Sequence, residues 1–391
     1  MRYRLLALTA AVACVALGGC PGKNDKPGTA AEGNTIKIGH YASLSGKEAT
    51  FGQQVDNGVK LAVDEINNGG GIGGKKVELI TEDTQSQTQG AQNAVEKLIG
   101  KDEVSALIGE VASGRTMAAA PIAMREKTPM LTPASTREDV TKDENGNVAA
   151  YIFRICFIDP FQGTVMAKFA FESLNAKSVA VLKDNANPYS VGLAKAFVEK
   201  FKALGGTIVE EQDYEGGQND FKAQLTAIKG KNPQAIFVPG YYTEVSLIAT
   251  QARQLGLTVP LLGGDGWDSP SLTQGQAKAA LEGCYFSNHY SEQDTSATVQ
   301  DFIKRYKAKY NGESPGAMSA LGYDAMMIIA KIIKDSGKSD RETIRAGLAA
   351  LKNYKGVTGN ITIDEHHNAT KPAVVLQIKD GKFAYHSTVN P

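Results

Sequence analysis

The run Ser178-Val-Ala-Val-Leu182, an apolar stripe at Leu193, Ala196, Phe197 and Phe201, and then Gly206-Thr-Ile-Val-Glu210 read as strand, amphipathic helix and strand. A strand that is apolar on both faces belongs in a sheet covered on both sides, which is the parallel α/β arrangement. The same rhythm continues toward the C-terminus. Phe221, Leu225 and Ile228 mark a helix face, Ala235–Val238 a strand, Val245, Ile248, Ala252 and Leu255 a helix, and Pro260–Leu262 a strand.

Toward the N-terminus a second series appears. Ile36–Tyr41 reads as a strand, and Val55, Val59, Ala62, Val63 and Ile66 fall on one helical face. Lys76–Glu82 is strand-like and Ala91, Ala94, Val95, Leu98 and Ile99 mark a helix. Val104–Gly109 is a strand, the Ala-rich Thr116–Arg125 a helix, and Pro129–Thr132 a short strand. Two such series predict an α/β protein of two doubly wound lobes. In open sheets of this kind ligands bind at the carboxyl ends of the strands, so the cleft between the lobes is the expected site.

The balance of the 391 residues agrees with a folded, two-domain chain. Apolar residues make up 42% and charged ones 21%, with 42 Lys+Arg against 42 Asp+Glu. A neutral chain lacks the basic excess that a nucleic-acid binder uses to displace phosphate counterions. It also lacks the charge bias of a disordered one.

At the N-terminus Arg2 and Arg4 precede an apolar run, Leu5–Leu17, that ends Leu17-Gly-Gly-Cys20. At about 1.5 Å per residue this run is too short for a ~30 Å hydrocarbon core and has the plan of a signal peptide, residues 1–19. The ending resembles a bacterial lipobox, which implies lipidation of Cys20; ordinary secretion with an incidental cysteine is the alternative. Residues 20–33, rich in Gly, Pro, Lys and Asn, then form a tether. Cleavage before Cys20 removes Cys14, so Cys156 and Cys284 remain as thiols. Two free buried thiols are expected, although an oxidising compartment permits a disulfide.

Catalytic and metal motifs fail in instructive ways. Gly69-Gly-Gly-Ile-Gly-Gly-Lys-Lys76 lacks the Ser or Thr of a phosphate loop and lies between a helix and a strand, the reverse of the required order. It reads as a helix cap and turn. His40, His289, His366, His367 and His386 have no metal-pair spacing, and His366-His367 reads as part of a polar turn. No nucleophile elbow or Ser-x-x-Lys occurs. The chain therefore reads as a non-enzyme without metal or cofactor, with an enzyme of unfamiliar motif as the alternative.

Several segments line up in chain order: Ser43-Leu-Ser-Gly46, Phe51-Gly52, Ala62-Val-Asp-Glu-Ile-Asn67, Ile108-Gly109 with Ser113, and Thr132-Pro-Ala-Ser-Thr136. Arg154 with Asp159, Asp184 with Tyr189, Pro239-Gly-Tyr241 and Gly263-Gly-Asp-Gly266 follow. The ordered set resembles the leucine/isoleucine/valine-binding family of ABC-importer substrate-binding proteins. That resemblance implies the type I periplasmic binding protein fold, two lobes joined by three crossovers. It places lobe I at 34–157 plus 290–363 and lobe II at 158–289 plus 364–391. Cys156 and Cys284 then both fall near crossovers, where a hinge disulfide is conceivable. It further implies a monomer in the periplasm or at the cell surface, lipid-anchored, that passes an amino acid to ABC permease subunits in the inner membrane.

A free α-amino acid presents a carboxylate and an ammonium on one carbon, so its pocket needs donors and an acidic acceptor in fixed places. Ser113, ahead of a helix, and Thr136 supply hydroxyls, and Ala134 supplies backbone groups, all at positions that match the family's carboxylate and ammonium contacts. Taken alone, Ser113 or Thr136 fits a helix N-cap equally well. Asp265 lies among glycines after a strand and suits the ammonium, although it is one methylene shorter than the family's Glu; capping a turn is the alternative. Tyr189 and Tyr241 match aromatic residues that close over the ligand. Phe51 replaces a Tyr, and Trp267 is expected to wall the side-chain pocket. Asp159 either contacts the ammonium or anchors the hinge through Arg154. The favoured ligand is a branched-chain aliphatic amino acid. The same fold binding an amide, urea, a 4-aminobutyrate-like acid or an aromatic acid, for uptake or sensing, is the alternative.

Overall fold

The computed structural model describes residues 35–391. The signal peptide, Cys20 and the tether lie outside the described residues. The first series folds as β1 Thr35–Ala42, α1 Ala49–Asn68, β2 Lys76–Asp83, α2 Thr88–Gly100, β3 Ala106–Ile108, α3 Ser113–Arg125, β4 Met130–Thr132 and β5 Ile152–Arg154. Its strands form one parallel sheet in the order β2-β1-β3-β4-β5. Every residue of β3, β4 and β5 is buried, as expected of strands covered on both faces. Strand β3, Ala106–Ile108, is shorter than the apolar run that predicts it, and Gly109 ends it by turning the chain at φ 136°. The Gly-rich segment after α1 is a turn, with Gly70, Gly71, Gly73 and Gly74 all at positive φ.

The second series begins with α4 Asp159–Lys168, which the apolar pattern alone does not reveal, since this helix has no apolar stripe and buries Asp159 and Gln162 together with Val165 and Met166. It continues as β6 Ser178–Asp184, α5 Pro188–Ala203, β7 Thr207–Tyr214, α6 Lys222–Gly230, β8 Ala235–Phe237, α7 Tyr242–Gln254, β9 Leu261–Gly263, α8 Gly275–Ala280 and β10 Tyr285–Asn288. The chain then forms α9 Ala297–Lys309, α10 Ala317–Ser336 and α11 Arg341–Ala349. A small three-stranded sheet follows, of β11 Tyr354–Gly356, β12 Gly359–Ile363 and β13 Ala369–Thr370. Last come β14 Ala373–Lys379 and β15 Lys382–Val389.

The second sheet has the order β15-β14-β10-β9-β8-β6-β7. It is parallel from β7 to β10, and β14 and β15 add antiparallel to that edge. The purely parallel expectation is thus corrected at one edge. Asp380 and Gly381, both at positive φ, make the two-residue turn that only an antiparallel hairpin needs. The chain therefore passes between sheets after β5, after β10, and again before β14.

Helix α10 returns to the first sheet's side and packs along α1. The two helices approach so closely that a Cβ on Gly58 would collide with the Ser319 carbonyl, and one on Gly322 with that of Val55. Cys156 and Cys284 are both free and buried, so the hinge disulfide does not form.

Candidate functional site

The loops at the carboxyl ends of β1, β3 and β4 face those after β6, β8 and β9. They enclose a void of about 200 Å3, lined from the first sheet's side by Phe51, Val111, Ala134 and Met318. From the second it is lined by Tyr189, Tyr241, Asp265 and Gly266. Five residues read from the sequence thus meet at one void: Phe51, Ala134, Tyr189, Tyr241 and Asp265.

The aromatic wall is built by stacking. Tyr189 and Tyr241 lie nearly parallel with centroids 5.2 Å apart, and Phe51 meets Tyr241 edge-on at 5.6 Å. Asn187 caps α5 through its side chain and so fixes the turn that carries Tyr189. The Tyr189 hydroxyl accepts the Gly266 N–H at 3.1 Å, which ties the wall to the Asp265 loop. Burial raises both phenols well above their ordinary range, so both are neutral at pH 7. Gly264 is required here: a Cβ would sit 2.5 Å from Leu193 and 2.6 Å from the Tyr189 hydroxyl.

Asp265 is 2% exposed. One carboxylate oxygen accepts from Gln162 Nε2 at 3.2 Å and the other faces His289 Nε2 at 3.0 Å. Burial pushes His289 down to about 4 against the pull of Asp265, so the ring is neutral at pH 7 and Nε2 carries its proton toward the carboxylate. A carboxylate offers about four acceptor positions, and two donors leave capacity for a ligand cation.

Ser113 is the first helical residue of α3, with Ala112 as the N-cap, and its hydroxyl accepts the Arg137 N–H at 3.2 Å. Thr136 is wholly buried; its carbonyl accepts the Asp159 N–H at 2.9 Å, and its hydroxyl lies 3.4 Å from Gln162 Nε2. Neither is an N-cap. Neither lines the void; each stands two residues beyond a residue that does, Val111 and Ala134 respectively.

Asp159 is held by Gln162 Nε2 at 2.9 Å. Burial pushes it up to about 7, against hydrogen bonds from Thr136 and Gln162. The expected anchor through Arg154 is not a direct bond. The Arg154 guanidinium instead donates to the carbonyls of Ser135, Arg137 and Glu138, and so fixes the loop that carries Thr136.

Trp267 departs from expectation. Its indole is fully buried, donates to the Val238 carbonyl at 3.0 Å and lies over Gly263, where any Cβ would strike the ring. It belongs to the core of the second sheet and does not line the void.

Sequence reasoning missed Gln162, His289, Val111, Gly266 and Met318. It also missed a buried ion cluster beside the void, in which Arg115 bridges Glu48 at 2.5 Å and Glu110 at 3.1 Å. Burial opposes ionisation of Glu110. Arg115 and bonds from Ser43 and the Ala112 N–H outweigh it and hold the carboxyl below its ordinary value. Among the described residues no group of His, Cys, Asp and Glu is arranged to hold a metal ion. Among them also, no helix is long and apolar enough to cross a membrane.

A family model described as periplasmic binding protein matches residues 35–382. The Leu/Ile/Val-binding protein BraC3 of Rhizobium johnstonii is 31% identical over 342 residues, 87% of this chain and 90% of that one. The crystal structure of the leucine-binding protein LivK from Thermotoga maritima superposes with a TM-score of 0.86 at 41% identity, covering 91% of this chain and 99% of that one. The branched-chain amino acid transporter substrate-binding protein LivJ from Streptococcus pneumoniae, in complex with isoleucine, gives 0.85 at 38%, covering 91% and 100%.

Proposed function

The chain belongs to the Leu/Ile/Val-binding family of periplasmic binding proteins, and on that premise we propose that it captures a free α-amino acid in the void and delivers it to an ABC permease. Branched aliphatic side chains are favoured. The observation that carries this reading is Asp265, a buried carboxylate at the void wall whose hydrogen-bond donors are both neutral. It accepts the ligand ammonium. The hydroxyls of Ser113 and Thr136, with backbone groups near Ala134 and the start of α3, receive the ligand carboxylate. Phe51, Tyr189, Tyr241 and Met318 wrap the aliphatic side chain.

A ligand of leucine's size can reach about −13 kcal/mol at roughly −1.5 per heavy atom. Micromolar capture needs only about −8. Contacts from both sheets are required, so the ligand shifts an open–closed equilibrium toward the closed form, which the permease reads. The moving lobes are 34–157 with 290–363, and 158–289 with 364–391. Cys20 carries a lipid that holds the protein on a membrane, outside the cytoplasm.

Calorimetric titration of ligand-stripped protein against the amino acids, several amides and aromatic acids tests the reading. Binding of leucine, isoleucine or valine is expected; binding of amides or aromatic acids without amino acids overturns it. For the anchor, Cys20→Ser is expected to release the protein from membranes in fractionated cells.

A further inference from the structure

Asp265 is held by one residue from a segment joining the sheets and one from α4, the helix that follows the other such segment. His289 directly follows β10, at the point where the chain leaves the second sheet, and its ring stacks on Phe157 with centroids 3.8 Å apart. Phe157 belongs to the segment between β5 and α4, where the chain leaves the first sheet. Gln162, in the opening turns of α4, reaches the same acid twice: its Nε2 donates to the Asp265 carboxylate, and its Oε1 accepts the Asp265 N–H at 3.3 Å. That Oε1 also accepts from Ser287 of β10 at 3.0 Å, while the Nε2 binds Asp159. His289 and Gln162 are 3% and 0% exposed.

Nδ1 of His289 is buried without a partner. That fits a tautomer with the proton on Nε2, because an unpaired acceptor in the interior replaces what would otherwise be an unpaired N–H. The proton is thus committed to Asp265. With both carboxylate oxygens held, the side chain keeps one rotamer, and its remaining lone pairs are set before any ligand arrives. A merely packed histidine would not need this tautomer, nor a glutamine fastened to the same acid from α4.

We infer that His289 and Gln162 are positioning residues that aim the Asp265 carboxylate at the ligand ammonium and thereby set the preference for amino acids over the corresponding acids without an amino group. The inference rests on the amino-acid reading above, and its test separates the two. The full chain, stripped of ligand, is titrated calorimetrically with leucine and with 4-methylpentanoate, which shares the carbon skeleton and carboxylate but has no ammonium. The quantity read is the ratio of the two affinities, which a general loosening of the fold does not move.

The unsubstituted protein is expected to prefer leucine at least tenfold. His289→Leu should shrink that preference at least fivefold, and His289→Gln, whose amide can replace the Nε2 donor, should restore most of it. Gln162→Leu provides a second variant should His289→Leu fold poorly, with the same loss expected. If Asp265→Asn leaves the ratio unchanged, the ammonium reading itself fails. If Asp265→Asn collapses the ratio while His289→Leu and Gln162→Leu weaken both ligands equally, the reading stands and the positioning inference is overturned.

Discussion

Two buried acidic clusters flank the void, and they are neutralised in opposite ways. On the first sheet's side Glu48 and Glu110 share the Arg115 guanidinium, a fixed cation supplied by the protein. On the second, Asp265 and Asp159 share an amide, Gln162, and Asp265 adds a neutral imidazole. The consequence shows in their ionisation. Arg115 helps hold Glu110 below its ordinary range, whereas burial carries Asp159 up to about 7. A carboxylate that already owns its cation is part of the framework. One that is oriented by neutral donors has no cation of the protein's own beside it, and that place is open to a ligand ammonium. The two clusters differ in their partners and not in burial, since Glu48, Glu110, Asp159 and Asp265 are all buried.

The largest expected effect lies in the first cluster. Arg115→Leu strands two buried carboxylates and should lower unfolding stability by about 3–5 kcal/mol, measured by urea denaturation. An unchanged midpoint would break the contrast. Asp265→Asn, by comparison, should cost binding rather than folding. Charge-assisted hydrogen bonds are worth about 1.5–3 kcal/mol, so leucine affinity should fall roughly tenfold to a hundredfold with little change in Tm.

Lys371 sharpens the same contrast from the cationic side. Its ammonium is buried without a hydrogen-bond partner, and burial lowers it to about 8, with Asp324 and Cys156 pulling the other way. A lysine with a depressed pKa binds its proton less readily in the folded state than in the unfolded one. Its cost is therefore fully present below about pH 8 and fades as pH rises toward the ordinary lysine value near 10.5. Lys371→Met should raise stability at pH 7 by about 1–3 kcal/mol, and the gain should shrink when the melts are repeated at pH 10. The smallest effect concerns the wall. Tyr189→Phe removes the acceptor for the Gly266 N–H and should weaken leucine binding by about 0.5–1.5 kcal/mol by calorimetry, through the Asp265 loop it steadies.

Much of the candidate site is legible in the sequence. Asp265 and Tyr241 stand in the loops after β9 and β8, and Tyr189 in the first turn of the helix after β6, where a parallel sheet delivers its ligand-facing end. Phe51 and Ala134 were placed by the ordered match to a family. Gln162 and His289 were not legible. Gln162 meets Asp265 across 103 residues and Ser287 across 125, and no local pattern marks either contact. Trp267 departs from its sequence expectation for the converse reason. Its place next to Asp265 suggested a pocket wall, but Gly263 leaves a gap over the strand that only a side chain folding backward can fill.

The sequence by itself determined the alternation of strands and helices, and with it which loops would gather at one end of each sheet. Those are consequences of local periodicity, because a strand or helix that buries a face must carry its apolar residues at period 2 or 3.6. Only the tertiary structure decided which buried acids received a guanidinium and which an amide and an imidazole. Partner choice for a buried charge depends on what distant segments bring within about 3 Å, and in a low-dielectric interior that pairing sets the cost of keeping the group charged.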